Sequence, residues 1–214
     1  MDIKNLFVSA WQHTVTFIGP VLLVTFVQMV LIVVSLGVLA PVTTAGYVQS
    51  LLLAVREGRP PEIKDLFSQM KLFFPLLLLF IALAIVIFIG FSFLVLPGFV
   101  AAGVIAFAAF YLLPLMTDQG LGVLDALKKS WEIAVRPPIT DHVIVAIVYV
   151  AIMSLGGSLP FAFLLTQPLA TFIQVAAYQE RVALPEKRET PQPMSAPPPP
   201  PPPETGNEIR EKSE

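Results

Sequence analysis

The side chains best suited to acid–base chemistry or metal ligation at neutral pH are the two histidines, His13 and His142. With Asp141 they make a three-ligand set at most, and each sits at the end of a long apolar stretch. An imidazole at a membrane interface needs no metal, so interfacial exposure is the expectation for both. The second candidate is the run 118–141, where Asp118, Asp125, Glu132 and Asp141 alternate with Lys128, Lys129 and Arg136. Metal-dependent phosphodiester hydrolysis would need such carboxylates to converge. The spacing of Asp125 and Lys129 instead suits an i,i+4 pair on a wet helix face. The chain has no cysteine, which removes thiolate catalysis and Cys-ligated metals. Neither a serine nucleophile elbow nor a phosphate-binding glycine loop is present. No catalytic, cofactor-binding or metal-binding residue is assigned, no cofactor is expected, and the chain reads as a non-enzyme.

The elements that hold these residues follow from where the charges are. The 214 residues are 56% hydrophobic and only 13% charged, with a mean hydropathy of +0.79. A soluble domain carries roughly 25% charged residues. The net charge of −2 offers no basic field for nucleic acid. No charged residue occurs in 5–55, 72–117 or 142–179. Each gap is too long for one membrane helix of about 20 residues and suits two. Turn residues fall near the middle of each: Gly37 and Pro41, then Pro97 and Gly98, then Gly156, Gly157 and Pro160. The expected spans are 15–36, 39–56, 72–94, 99–116, 142–155 and 160–180, an all-α polytopic bundle of six spans in three hairpins. The 42–50 stretch is polar for a lipid-facing helix and should lie inside the bundle or be re-entrant. Continuously apolar runs such as 76–84 exclude the alternation of a membrane barrel.

With six spans, all 13 Lys and Arg fall on one side, which the positive-inside rule makes cytoplasmic, together with both termini. The first apolar segment is too long for the core of a signal peptide. The polar groups within spans, among them Gln28, Thr44, Gln167 and Gln174, would either line a route for a neutral solute or join helices by hydrogen bonds, and the second is expected. Ala102, Gly103, Ala106 and Ala109 form a small-residue face suited to close helix packing.

A repeat of about 60 residues runs through 1–60, 61–120 and 121–180. Residues 3–7 (IKNLF) return as 63–67 (IKDLF) and, more loosely, as 123–127 (VLDAL). Trp11 and Trp131 stand 120 apart. Ile3, Leu6, Phe7, Ala10 and Trp11 form an apolar helix face that the later copies repeat, which reads as an interfacial helix before each hairpin. Trp11, Phe67 and Trp131 are the expected anchors at headgroup depth. After the membrane domain (1–183) comes a tail, 184–214. Residues 181–214 hold 10 of the 21 prolines, including the unbroken run 197–203. Without an apolar face the tail should be disordered, with the proline run in extended polyproline II form. It reads as a spacer, with a docking peptide for a proline-binding partner as the alternative.

Several stretches carry a family resemblance: Leu96-Pro97-Gly98, Pro114-Leu115-Met116-Thr117-Asp118-Gln119-Gly120, Ala126-Leu127-Lys128-Lys129-Ser130-Trp131, and Gly46-Tyr47 followed by Arg56-Glu57-Gly58. Over 1–183 the chain resembles bacterial six-span membrane proteins of unknown function that are similar to the membrane domain of some glycerophosphodiester phosphodiesterases. The resemblance implies a multi-pass fold in a bacterial inner membrane. It implies no activity, because in those enzymes the chemistry belongs to a separate soluble domain that this sequence lacks. The resulting expectation is a non-enzymatic inner-membrane protein in contact with membrane lipids, serving envelope organisation or lipid handling. The alternatives are a permease-like protein for a neutral or amphipathic solute, or an accessory subunit of a membrane enzyme.

Reporter fusions test the topology. Fusions at Arg59 and Lys128 should report cytoplasm, and fusions at Leu96 and Gly157 the opposite side. Periplasmic activity at Arg59 would replace the second span by a re-entrant segment.

Overall fold

An apolar segment in lipid must satisfy its own backbone hydrogen bonds, and a helix does so within one segment. The computed structural model describes residues 3–93, 95–158 and 160–189, with side chains at 3–92, 98–157 and 161–182. Among the described residues every regular element is helical. In chain order they are α1 (Ile3–Thr16), α2 (Ile18–Val34), α3 (Ala40–Glu57), two 3-10 turns (Ile63–Phe67 and Met70–Leu72), α4 (Phe73–Phe93), α5 (Val95–Ala108), α6 (Leu112–Asp118), α7 (Val123–Ala134), α8 (Ile139–Ser158) and α9 (Pro160–Glu189). The tail beyond 189, with its proline run, lies outside the described residues.

Ile63–Ser92, Gly98–Asp118, Ile139–Gly157 and Phe161–Val182 are long and apolar enough to cross a membrane. The pair α1 and α2, bent by 84° at Phe17, makes a fifth when taken together. Helix α3 is 18 residues long but carries Thr43, Thr44, Gln49 and Ser50. It lies inside the bundle, with Tyr47, Val48, Leu51 and Leu52 at most 1% exposed. The chain is therefore an all-helical protein built for a membrane.

Several turns lie elsewhere than the sequence predicts. Gly37 does sit in a turn, with φ +85°, a value that favours glycine. Its N–H bonds the Ile32 carbonyl at 2.7 Å and closes the end of α2. Pro41 is already in the first turn of α3, where its missing N–H costs nothing. Pro97 and Gly98 fall in the first helical turn of α5, which begins at Val95, and not in a connecting turn. Gly156 and Gly157 are helical, and α8 runs through them to Ser158. A helix in an apolar setting keeps its hydrogen bonds through a glycine pair. The missing side chain at Gly156 also admits α9, because a Cβ there would stand 3.3 Å from the Phe163 Cα. Pro160 opens α9. The second interfacial segment is not an α-helix but the pair of 3-10 turns, and the fourth predicted span is interrupted between α5 and α6.

The core lies where α3, α6 and α9 meet. Leu115, Met116, Phe172, Ile173 and Val175 join Tyr47, Leu51 and Leu52 there, all at most 1% exposed. Of the apolar segments, Phe161–Val182 is the most buried and Ile63–Ser92 the least. Helix α4 turns Phe74, Leu78, Phe80 and Phe88 outward. The interfacial elements pack on this core in turn. The Ile63–Phe67 turn lies on α3, α7 on α6, and α1 on α9. Leu6, Leu66 and Ala126, 60 residues apart along the chain, are each buried at these contacts.

The contact on α3 depends on Gly46. A Cβ there would lie 2.8 Å from the Leu66 carbonyl carbon, a backbone atom that cannot swing away. The close approach lets Ser50 Oγ donate to Asp65 Oδ2 at 2.7 Å. Gly46→Val should therefore destabilise the purified protein by about 1–3 kcal/mol through overpacking. Gly103→Ala, where a Cβ meets nothing within 4 Å, should be neutral or stabilising. Unfolding in mixed micelles measures both.

Candidate functional site

The charges that border the apolar segments gather into three connected groups at one end of the bundle. In the first, Arg56, near the end of α3, donates through both terminal nitrogens to the Asp118 carboxylate, with Nη2 at 2.9 Å from Oδ2. Tyr178 on α9 donates its hydroxyl to the same Oδ2 at 2.6 Å. Gln119 Nε2 donates to the Tyr178 oxygen at 3.1 Å, and Lys129 Nζ on α7 donates to Gln119 Oε1 at 2.6 Å. One chain of polar contacts thus ties α3, α6, α7 and α9. Asp118 reaches its partners because it is the last residue of α6, beside the end of α3 and within reach of Tyr178 on α9.

In the second group Arg59 Nη2 donates to Asp65 Oδ2 at 2.8 Å, and Lys64 pairs with Glu62 at 2.7 Å. The hydrogen bond that Arg59 donates to Asp65 raises the Arg59 pKa above its ordinary value. In the third, Arg181 is fully buried and donates to the carbonyls of Arg136 and Pro138, each at 2.8 Å, while Arg136 Nη1 donates back to the Arg181 carbonyl at 3.2 Å. This reciprocal pair fastens the α7–α8 connection to α9.

The sequence-assigned candidates are distributed around this end, not brought together. Trp11, Trp131 and Phe67 are exposed, by 59%, 47% and 39%. His13 stacks on Phe172 with ring centroids 5.9 Å apart. His142 is not an exposed interfacial histidine. It is fully buried, 4.5 Å from the Phe107 ring, with Nδ1 bonded to the Tyr111 hydroxyl at 3.1 Å. Among the described residues no three His, Asp or Glu come close enough to hold a metal ion. Of the rim acids, Asp118 is bound by Arg56 and Tyr178, while Asp125 and Glu132 stay exposed on α7. Lys129 turns to Gln119.

Comparison with family models, with curated proteins and with solved structures finds no match. The reading of this chain therefore rests on its own chemistry.

Inside the bundle the polar groups answer one another. Gln28 on α2 donates to Thr44 at 3.1 Å and accepts from Gln167 on α9 at 2.8 Å. Thr25 and Tyr47 share a hydrogen bond of 2.8 Å. Gln174 Nε2 reaches the Phe110 carbonyl at 2.5 Å. The sequence did not single out Tyr178, Arg181 or Tyr111. Arg56 carried a usable signal, since it is the charge that ends the first apolar gap.

Outside the bundle two apolar grooves open toward lipid. One, of about 430 Å³, lies between α5 and α8. The other, of about 540 Å³, lies between α4 and α5. The small-residue face of α5 borders the first and is not closed by another helix, because a Cβ at Gly103 would meet nothing.

The Arg56–Asp118 pair is part-exposed, with side chains 39% and 17% accessible. A double-mutant cycle with Arg56→Met and Asp118→Leu should give a coupling of about 1 kcal/mol, at the upper end for an exposed pair because the contact is bidentate. A coupling indistinguishable from zero in micelle unfolding would mean that the pair does not fasten α3 to α6.

Proposed function

We propose that this chain is a non-enzymatic integral membrane protein of the bacterial inner membrane, with six spans in three like-oriented hairpins and its charged end in the cytoplasm. It acts through its lipid-facing surface, in envelope organisation or lipid handling. The observation that carries this reading is the closed interior. Gln28, Thr25, Tyr47 and Gln167 are at most 5% exposed; Gln28 bonds Thr44 and Gln167, and Thr25 bonds Tyr47, with the Gln167 Oε1 left unpaired. Large apolar side chains fill the space beside them: Leu51, Leu52, Phe172 and Ile173. A neutral solute would find no continuous polar face there. The outer surface is the reverse, with Phe74, Leu78, Phe88 and Ile147 each more than half exposed.

The threefold arrangement is supported by the cyclic packing of interfacial elements. Neighbours in sequence explain why the 3-10 turns lie on α3 and α7 on α6. They do not explain α1 on α9, which closes the ring between the two ends of the membrane domain. Gly98–Asp118 and Phe161–Val182 are each more buried than the apolar segment before them, and α3 is largely buried, in line with an inner second helix in each hairpin. The resemblance to the membrane domains of glycerophosphodiester phosphodiesterases agrees with the same plan. The proline-rich tail would serve as a cytoplasmic spacer, with a protein partner as its alternative role.

The purified full chain in liposomes should give no flux of small neutral solutes above that of empty vesicles, and no release of phosphate from phosphodiesters. Flux that disappears when Gln28 or Gln167 is replaced by Leu would establish the permease reading instead.

A further inference from the structure

We propose that α1, the two 3-10 turns and α7 form a collar sunk into the leaflet at the charged end alone, and that this collar makes the protein favour membrane that is convex on that side. The proposal rests on the lipid-facing reading above and names the lipid surface that it fits. At about 100° per residue, helix α7 divides into three sectors. Ala126, Ser130, Ile133 and Ala134 are buried against the bundle. Leu124, Leu127 and Trp131 follow as an apolar strip, with Leu124 72% and Trp131 47% exposed. Asp125, Lys128, Lys129 and Glu132 make the third sector, all exposed. Helix α1 has the same three. Leu6, Ala10 and Thr14 are buried, Val8, Trp11 and Val15 are apolar and exposed, and Gln12 and Thr16 are polar and exposed.

An apolar strip held between a buried face and a polar face is what the boundary of hydrocarbon and water demands of a helix lying along it. A protein partner docked on one helix would not impose the same pattern on another that packs elsewhere, and α1 lies on α9 while α7 lies on α6. Followed around each helix in one sense, the sectors come in the order bundle, apolar, polar in both. Two helices with water above, hydrocarbon below and the bundle beside them then run the same way round it. Helix α1 also turns 84° from α2, so it lies across that helix and does not prolong it. The 3-10 turns add Ile63, Phe67 and Met70, exposed by 39%, 39% and 43%, beside buried Asp65, Leu66 and Gln69. Among the described residues the other end has no such element between α2, which ends at Val34, and α3, which begins at Ala40. Helices α1 and α7 have 14 and 12 residues. At ~1.5 Å rise per residue and about 10 Å across, each covers roughly 200 Å² of one leaflet. Area added to one leaflet is best accommodated where that leaflet is on the outside of a bend, and amphipathic insertion is curvature-sensitive.

The test uses the full chain in giant vesicles of phosphatidylethanolamine and phosphatidylglycerol, with a dye on Ser213→Cys, since the sequence has no cysteine of its own. Tubes are pulled from the vesicles, and a membrane-impermeant quencher separates molecules whose tail faces outward from those whose tail faces the lumen. Outward molecules should be enriched about twofold in the tube over the parent vesicle, a bias of ~0.4 kcal/mol, and inward molecules depleted. Trp11→Gln with Leu124→Gln changes two side chains that are more than half exposed, so folding should survive and both ratios should return to one. Leu36→Asn, at a residue 92% exposed in the turn at the other end, should leave the ratios as they were. Equal densities in tube and vesicle, or ratios that the collar variant does not change, would overturn the proposal. Efficient disulfide dimers of Leu124→Cys in the otherwise cysteine-free chain would assign the apolar strip to a second copy and overturn it as well. Absent sorting, with solute flux still absent, leaves the general reading intact. Flux together with retained sorting would sink only that reading.

Discussion

No water is present in a bilayer core to answer an exposed N–H or C=O, and the bundle is organised around that constraint. Its sharpest expression is at Pro114. Proline has no N–H, so the carbonyl of Phe110, four residues back, loses its helical partner. The helix breaks just there, between α5 and α6. Gln174 from α9 donates to the Phe110 carbonyl, and Ser130 Oγ from α7 accepts the Tyr111 N–H at 3.1 Å. Each repair comes from a different helix. A local defect in one element thereby fixes the positions of two others. Next to the break, the Tyr111 hydroxyl gives the buried His142 its polar partner.

The charged residues serve two ends. Their restriction to one end of the apolar segments gives the chain an orientation. They also fasten that end, because three arginines find oxygen on neighbouring elements: Arg56 on Asp118, Arg59 on Asp65, Arg181 on two backbone carbonyls. Arg181 is fully buried, and the carbonyls of the α7–α8 connection take the place of water around it. At the opposite end Gly37 sits in the turn between α2 and α3, and α4 keeps its outward position.

Much of the helical plan was legible in the sequence, because charge gaps and apolar length act over whole segments. The gaps located α2, α3, α4 and α8 within a few residues, as well as the start of α9, which runs on to Glu189 past its expected end at 180, and the polar stretch 42–50 correctly pointed inward. Single turns were less legible. Gly156 and Gly157 read as breakers by propensity, yet lipid rewards an unbroken ladder and α9 needs the close approach that glycine permits. The 3-10 turn Ile63–Phe67 sits tightly on Gly46, a tertiary contact that no local spacing announces. His142 looked interfacial because it borders Asp141, and the Tyr111 hydroxyl that partners it lies far away in sequence. The rim acids suggested a cluster, but α7 spaces Asp125 and Glu132 along its exposed face and leaves only Asp118 in the polar chain.

The inner helices and the outer surface follow from one another. Polar groups on α3 and α9 are tolerable only where they can pair, so those helices take the centre, and α6 joins them through Gln119 and Asp118. Helices with nothing polar to satisfy, α4 above all, are left outside. In water their exposed phenylalanines and leucines would drive collapse, but lipid is as apolar as they are and supplies no such force. Nothing then compels α5 to close on α8 across the small side chains between them. A cleft at Gly103 can persist in a bilayer for the same reason that it would be filled in a soluble core: its alternative neighbour is hydrocarbon, not water.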